Sequence, residues 1–377
     1  VKNLQLASPD ITERERELVT EVLNGTSLSG GPMLPRLESM MARKAGRKHA
    51  IAVSSGTAAL HLIVRGLGLG AGDTVITTPY SFVASANCLL YESVDPVFIE
   101  IDERTYNLDP DRVRDFLRSN LAERDRIKGI LAVDVFGHPA DWAGISAVAD
   151  EFGLLMIEDS AEALGSRLNG APAGSFGSAG VYAFYPNKQV TTGEGGAVLT
   201  DDDELADLCR SLRDQGRGRS RAWLEHVRLG YNYRLSELHA AVGVGQFERV
   251  DEILDRRAQV AAWYGERLVE SSHLKPPQAL PEADVAWFVY VVRLSEGVDR
   301  SVVMERCQAE NIPTRPYFPA IHLMPHIVDA CGLGVGDFPI TEAVAASTLA
   351  LPYHAGMTEE EVEYVCRILL AVTGEAH

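Results

Sequence analysis

Lys188 stands in the run Val181-Tyr-Ala-Phe-Tyr-Pro-Asn-Lys-Gln-Val-Thr-Thr-Gly-Glu-Gly-Gly196, after an apolar stretch and before a glycine-rich turn. A lysine held between two such segments sits in a partly desolvated pocket. Desolvation favours the neutral amine, which is the form that attacks an aldehyde. Taken alone, an internal lysine near glycines is an ordinary surface residue, and three other segments change that reading. Leu154-Leu-Met-Ile-Glu-Asp159 is a buried-type strand ending in two carboxylates. Ligands of α/β proteins gather at the C-terminal ends of parallel strands. Asp159 could equally cap a helix starting at Ser160. Val53-Ser-Ser-Gly-Thr-Ala-Ala-Leu60 reads as strand, small-residue turn and helix start. The unpaired N–H groups and positive dipole end at Gly56 and Thr57 suit a phosphate. Phe82, in Thr78-Pro-Tyr-Ser-Phe82, falls just after a strand, where its ring face could stack on a planar ligand. Its alternative is a core phenylalanine.

A phosphate cradle, a Schiff-base lysine and an acid that keeps a ring nitrogen protonated are three requirements of one cofactor, pyridoxal 5'-phosphate (PLP). They follow one another in an order compatible with a single sheet. Apolar runs at His49–Val53, Thr74–Thr78, Pro96–Ile101, Ile127–Val135, Leu154–Glu158, Val181–Tyr185 and Ala197–Thr200 read as strands. Helical patterns at Thr57–Leu67, Phe82–Glu92, Asp111–Asn120 and Trp142–Phe152 lie between several of them. Short buried strands alternating with helices predict an α/β layer with a mainly parallel sheet. Ser236–Ser271 reads as one long helical stretch with apolar repeats at Leu238 and Val242. Beyond it, a strand at Val285–Leu294 and helices near Val302–Ala309 and Glu359–Ala371 predict a smaller C-terminal α+β domain. The expected division is residues 1–250 for the large domain and 251–377 for the small one.

Bulk composition narrows the classes. The 377 residues are 46% hydrophobic and 23% charged, ordinary for a globular protein, and no apolar run approaches the ~20 residues of a membrane helix. The start, Val1 to Asp10, carries no basic region followed by an apolar core, so no secretory signal is expected and the expected location is the cytoplasm. Five dispersed cysteines without a CxxC pair argue against a disulfide framework and against a metal site. A net charge of −18 disfavours nucleic acid and anionic membranes as partners. Seven arginines nevertheless fall between Arg210 and Arg234: Arg210, Arg213, Arg217, Arg219, Arg221, Arg228 and Arg234. Such a patch either serves an anionic small molecule or is a solvated face.

Together these segments resemble the sugar aminotransferase family named DegT/DnrJ/EryC1/StrS, within the fold-type-I PLP enzymes. The resemblance covers nearly the whole chain. It runs through Leu28-Ser-Gly-Gly-Pro32, S-S-G-T-A-A-L, G-D-T-V-I-T-T-P-Y-S-F-V-A-S-A-N, E-D-S-A-E-A-L-G-S, N-K-Q-V-T-T-G-E-G-G and G-Y-N-Y-R-L-S-E. Near the end, Arg315-Pro-Tyr-Phe-Pro-Ala-Ile-His322-Leu resembles a segment common in members acting on 4-keto-6-deoxy sugars.

The resemblance implies a role at each position. Lys188 would carry the cofactor and move the proton, Asp159 would pair with the pyridine nitrogen, and Phe82 would stack on the ring. Gly56 and Thr57 would bind the phosphate, joined by Asn232 from a neighbouring subunit of a homodimer. Glu162 would lie near the cofactor hydroxyl, where many members carry Gln or His. Arg234, Tyr317 and His322 would contact substrate. Many members have a serine five residues before the lysine, where this chain has Ala183, so the phosphate would rely more on backbone amides, on Asn232 or on Ser178. The implied reaction moves an amino group from L-glutamate to a nucleoside-diphosphate-linked keto sugar, foremost a 4-keto-6-deoxy hexose. Relatives acting on 3-keto sugars or on inososes are the nearest alternatives, and a PLP-binding regulatory protein without turnover is the non-enzyme one. A PLP-dependent dehydratase fits less well, because those relatives carry His in place of Lys188.

Overall fold

The computed structural model describes residues 4–120, 124–218 and 225–374. Along the chain come β1 (His49–Val53), β2 (Thr74–Thr77), β3 (Asp95–Phe98), β4 (Ile127–Val133) and β5 (Leu155–Asp159). The two-residue β6 (Arg167–Leu168) and β7 (Ala171–Pro172) follow, then β8 (Ala179–Ala183) and β9 (Gly196–Thr200). Seven of these build one sheet in the order β1-β9-β8-β5-β4-β2-β3. Only β9 runs antiparallel to its neighbours; the other pairs are parallel. The expected α/β class with a mainly parallel sheet is therefore what the chain forms.

Both faces of the sheet are covered, which is why its strands read as unbroken apolar runs rather than alternating ones. Ile51, Val53, Val75, Leu131, Ile157, Val181 and Val198 pack on one side with the Gly56–Gly66 and Asp203–Arg213 helices. On the other side Ala50, Ala52, Tyr182 and Leu199 meet the helices Met33–Ala45 and Glu237–Glu248, while Ile130 and Ala132 meet Trp142–Phe152. The long stretch expected at Ser236–Ser271 is two helices, Glu237–Glu248 and Val250–Leu268, broken at Arg249. Arg249 leaves helical geometry at φ −120°, ψ 14°, with its guanidinium on Asp10 and Glu15. Leu238 and Val242 are only half-buried, whereas Ala240, Ala241, Val244 and Phe247 are buried, because this helix is enclosed on more than one side.

Glu237 ties two quoted motifs together. Its carboxylate accepts from Met33 N at 2.7 Å and Leu34 N at 3.1 Å, capping a helix whose own N-cap, Pro32, has no side chain able to do so. A Cβ at Gly31 would lie 2.8 Å from Glu237 Oε2, so glycine lets this loop close over the carboxylate.

The C-terminal part contains β10 (Leu274–Lys275), β11 (Ala283–Asp284), β12 (Tyr290–Leu294) and β13 (Thr348–Leu351). The order β10-β12-β13 forms a second, antiparallel sheet, and β11 joins β6 and β7 in a third. Val260, Tyr264 and Leu268 pack with Val365 and Leu369 of the Glu359–Thr373 helix over β12 and β13, and Leu4 from the other end of the chain enters the same core. The expected strand at Val285–Leu294 shortens to β12; the approach to it, through Phe288, lines the cavity described next.

Candidate active site

A cavity of about 680 Å³ opens at the C-terminal ends of β4 and β5. Its wall includes Gly56, Thr57, Phe82, Asp159, Glu162, Lys188 and Tyr317, seven of the ten residues expected to act here. Three do not line it. Asn232 is exposed on a segment whose backbone bridges Asp214, Arg234 pairs with Asp214 at 2.8 Å, and His322 is fully buried with Nε2 3.1 Å from Glu342.

Lys188 arrives through a turn. The strand expected at Val181–Tyr185 ends at Ala183, and the chain then folds back so that Phe184 N donates to Gly195 O and Lys188 N to Tyr185 O. The Lys188 Nζ stands 3.3 Å from Glu162 Oε1 and 3.9 Å from the centroid of the Phe288 ring. One face of the amine is thus apolar and aromatic, and its polar contact is a single carboxylate. Glu162 is aimed by the backbone: Oε2 accepts from Phe136 N at 3.0 Å, and Gln189 Nε2 donates to the Glu162 carbonyl. Phe136 itself has φ 59°, an uncommon conformation for a bulky residue and one that turns its N–H toward Glu162.

Asp159 ends β5 inside the cavity wall. Its Oδ1 accepts from Ala161 N at 3.2 Å, yet no helix follows, so the capping alternative reduces to one local hydrogen bond. Burial first, and then the charge of Glu162, push its pKa up to about 6, against the Ala161 N–H and the charge of Lys188, which pull it down. A buried carboxylate so placed gains from a cation, and a protonated ring nitrogen is one.

The phosphate cradle follows from local geometry. Ser55 caps the Gly56–Gly66 helix through Ala58 N at 3.1 Å, so the N–H groups of Gly56 and Thr57, in the first turn, have no intrahelical acceptor. A Cβ on Gly56 would meet Ala183 Cβ at 2.8 Å, which ties the two small residues together at the base of the cup. Ser178 lies at the opposite end of β8, bonded through its N–H to Met156 O, and is not in the cavity wall; the aliphatic hydroxyls that are there belong to Ser55, Thr57 and Ser81. The residues present therefore fit PLP: an amine, a buried acid, open helix N–H groups and an exposed aromatic ring in one cavity.

Gly196 supports the cup from behind. A Cβ there would lie 2.5 Å from Ser55 C and 2.6 Å from Gly56 N, backbone atoms that cannot rotate away. Gly196→Ala should therefore destabilise the protein by about 1–3 kcal/mol. It should also weaken PLP binding by roughly tenfold, about 1.4 kcal/mol. Thermal melts and a cofactor titration check this, and unaltered affinity in a folded variant would detach the cup from the phosphate.

The arginine-rich stretch is less basic than its sequence suggests. Arg210, Arg213, Arg217 and Arg234 pair with Asp207, Glu38, Asp214 and Asp214. Arg219 and Arg221 lie outside the described residues. The cysteines are free, four of them buried. Among the described residues no His/Cys/Asp/Glu cluster could hold a metal ion, and no helix is long and apolar enough to cross a membrane. Asn187, Tyr185 and Ser81 also line the cavity, each within a motif quoted above; Phe288 lies outside all of those motifs and carries no local signal.

The sequence pattern of the DegT/DnrJ/EryC1/StrS aminotransferase family matches residues 9–370. GDP-perosamine synthase of Caulobacter vibrioides is 38% identical over 371 residues, covering 97% of each chain. The solved structure of S. venezuelae DesV superposes with a TM-score of 0.90 at 31% identity, over 97% of this chain and 95% of that one. Helicobacter pylori PseC, an aminotransferase involved in the biosynthesis of pseudoaminic acid, gives 0.92 at 26% identity over 99% of both.

Proposed function

The chain belongs to the DegT/DnrJ/EryC1/StrS aminotransferase family, whose cofactor is PLP, and from that premise we propose that it transfers an amino group from L-glutamate to a nucleoside-diphosphate-linked 4-keto-6-deoxy hexose. The observation that carries the reading is the meeting of Lys188, Asp159, Phe82 and the Gly56–Thr57 turn in one cavity. The nucleotide-sugar part is supported by the relatives named GDP-perosamine synthase, and the keto position by the Arg315–Leu323 segment and Glu162.

When bound, PLP supplies an aldehyde that captures amines and a ring that withdraws electrons from the carbon losing its proton. The Lys188 Nζ is the base that takes that proton and returns it elsewhere, within reach of Glu162 for orientation. Asp159, ionised against the ring nitrogen, keeps that nitrogen protonated. The N–H groups of Gly56 and Thr57 hold the phosphate, and Phe82 covers one ring face. Tyr317, whose hydroxyl accepts from Asn187 Nδ2 at 3.3 Å, offers its own proton to a sugar oxygen. Phe288 and Phe318 exclude water around the amine.

The active unit is a homodimer in this reading. Phe82 and Tyr185 leave more than half of their surface exposed at the cavity mouth, and Asn232 points outward on its own segment. A second copy would cover those rings and receive Asn232 at its phosphate. His322, buried on Glu342, would then shape the Arg315–Leu323 segment rather than touch the sugar.

PLP-loaded enzyme should release 2-oxoglutarate when given glutamate and a nucleotide-linked 4-keto-6-deoxy hexose, with mass spectrometry detecting the amino sugar. Amination of 3-keto sugars or inososes in place of the 4-keto sugar would overturn the substrate assignment. Bound PLP with no turnover on any of these would favour the regulatory alternative.

A further inference from the structure

We propose that Asp134 and Glu158, on the far face of the sheet from the cavity, are positioning residues that share a single proton, held on Asp134 Oδ2, and set Glu162 and Asp159 from behind. The proposal rests on the cofactor-binding reading of Lys188 and Asp159.

In the register of β4 and β5, Ala132 stands beside Glu158 and Val133 beside Asp159. Val133 and Asp159 line the cavity, so by strand alternation Glu158 and Asp134 point away from it. Both side chains are wholly buried, and their carboxyl groups adjoin each other. The N–H donors around them identify where the proton sits. Asp134 Oδ1 accepts from Ala140 N at 2.8 Å and from Trp142 Nε1 at 3.0 Å. Glu158 Oε1 accepts from Gly174 N at 2.5 Å and Oε2 from Phe176 N at 2.7 Å. Asp134 Oδ2 is the one oxygen of the four that no N–H reaches. Two adjoining buried carboxylates cannot both stay ionised, and a proton on that oxygen completes the set. Burial raises both groups, Asp134 to about 7; the charge of Asp134 raises Glu158 further, and that of Asp159 raises Asp134.

The pair grips two loops, and the one that follows Asp134 reaches the site. Asp134 closes residues 135–140 by holding Ala140 and Trp142, and that loop carries Phe136, whose N–H orients Glu162 against Lys188. Asp134 N also donates to Asp159 O at 3.0 Å. Glu158 holds the second loop at Gly174 and Phe176, whose carbonyls accept from Arg47. The other titratable groups facing the pair are Asp159 and Tyr182, and Arg47 meets the carbonyls of the loop that Glu158 holds.

Asp134→Asn supplies an amide N–H at Oδ2's place and should fold with a melting temperature near wild type. A carboxyl raised in the folded state stabilises it below the ordinary carboxyl range and loses that contribution as pH climbs through about 7. The melting temperature of Asp134→Asn should therefore rise relative to wild type between pH 5 and pH 8. Glu158→Gln turns an NH2 toward the N–H of Gly174 or Phe176, and should melt lower at every pH, by about 5 °C or more. In PLP-loaded protein, Glu158→Gln should also displace the pH midpoint of the cofactor absorbance, whereas Asp134→Asn keeps it. A tolerated Glu158→Gln with a destabilised Asp134→Asn would overturn the proton's placement. Stability changes without any displaced midpoint in Glu158→Gln would reduce the pair to a structural role and overturn the positioning claim. If wild type itself shows no cofactor band, the PLP reading fails, while the melts of cofactor-free protein still judge where the proton is.

Discussion

Lys188→Ala should lower kcat by about three orders of magnitude or more while the protein keeps its fold. The side chain contacts little that the core depends on: its amine meets Glu162 at 3.3 Å and the Phe288 ring at 3.9 Å, at the wall of an open cavity. Truncation enlarges that cavity rather than hollowing the packed layer beneath, and Glu162 keeps its hydrogen bond from Phe136. A melting temperature within a few degrees of wild type is the expected control. The activity loss has two sources. A positioned base contributes about 10²–10⁴ in rate, and the covalent anchor that presents the cofactor is lost with it. Borohydride reduction of the PLP-loaded enzyme, followed by peptide mass mapping, should place a pyridoxyl group on Lys188 in wild type and on no residue in the variant. A reduction-stable adduct in Lys188→Ala, or activity within tenfold of wild type, would sink the assignment. Added small amines should restore part of the activity, since they replace the base but not its orientation.

The parts of this site that could be read in advance are those in which one short segment contains both the element and the chemistry. Lys188, Asp159 and the Gly56–Thr57 turn each adjoin a strand of the central sheet, and strand ends in a parallel sheet converge by topology. Phe288 could not be read that way. It reaches Lys188 from about a hundred residues further along, on the irregular approach to β12, and only the packing of the C-terminal part against the sheet brings it there. The same holds for Phe136, whose left-handed backbone is imposed by the loop that Asp134 closes. The arginine patch shows a related limit: charge counted along the chain leaves out Asp207, Asp214 and Glu38, which answer four of its arginines in space. The break at Arg249 escaped periodicity because apolar spacing continues across it; what interrupts the helix is a pair of acids near the other end of the chain.

Asp159→Asn should cut turnover by about 10²–10³-fold, the usual effect of removing one preorganised electrostatic partner, and should invert the pH behaviour of the cofactor-free protein. Without cofactor, burial and then Glu162 hold the Asp159 carboxyl up at about 6, above its ordinary value of 3.8. A carboxyl raised on folding contributes stability that is complete below the unfolded value and is lost as pH climbs through the folded one. Cofactor-free wild type should thus lose stability relative to Asp159→Asn between pH 4 and pH 7. The ceiling on that loss is on the order of 2–3 kcal/mol, at 1.36 kcal/mol per pKa unit. Adding PLP reverses the balance, because a protonated ring nitrogen rewards the ionised carboxylate and not the amide. At pH 8 PLP should therefore raise the melting temperature of wild type more than that of the variant. Melting curves with and without PLP at pH 4, 6 and 8 contain the whole test. Parallel pH profiles for the two cofactor-free proteins would show that Asp159 is not held protonated by burial. Equal stabilisation of both by PLP would separate Asp159 from the ring nitrogen, and the aminotransferase reading would then have to find its electron sink's partner elsewhere in the cavity wall.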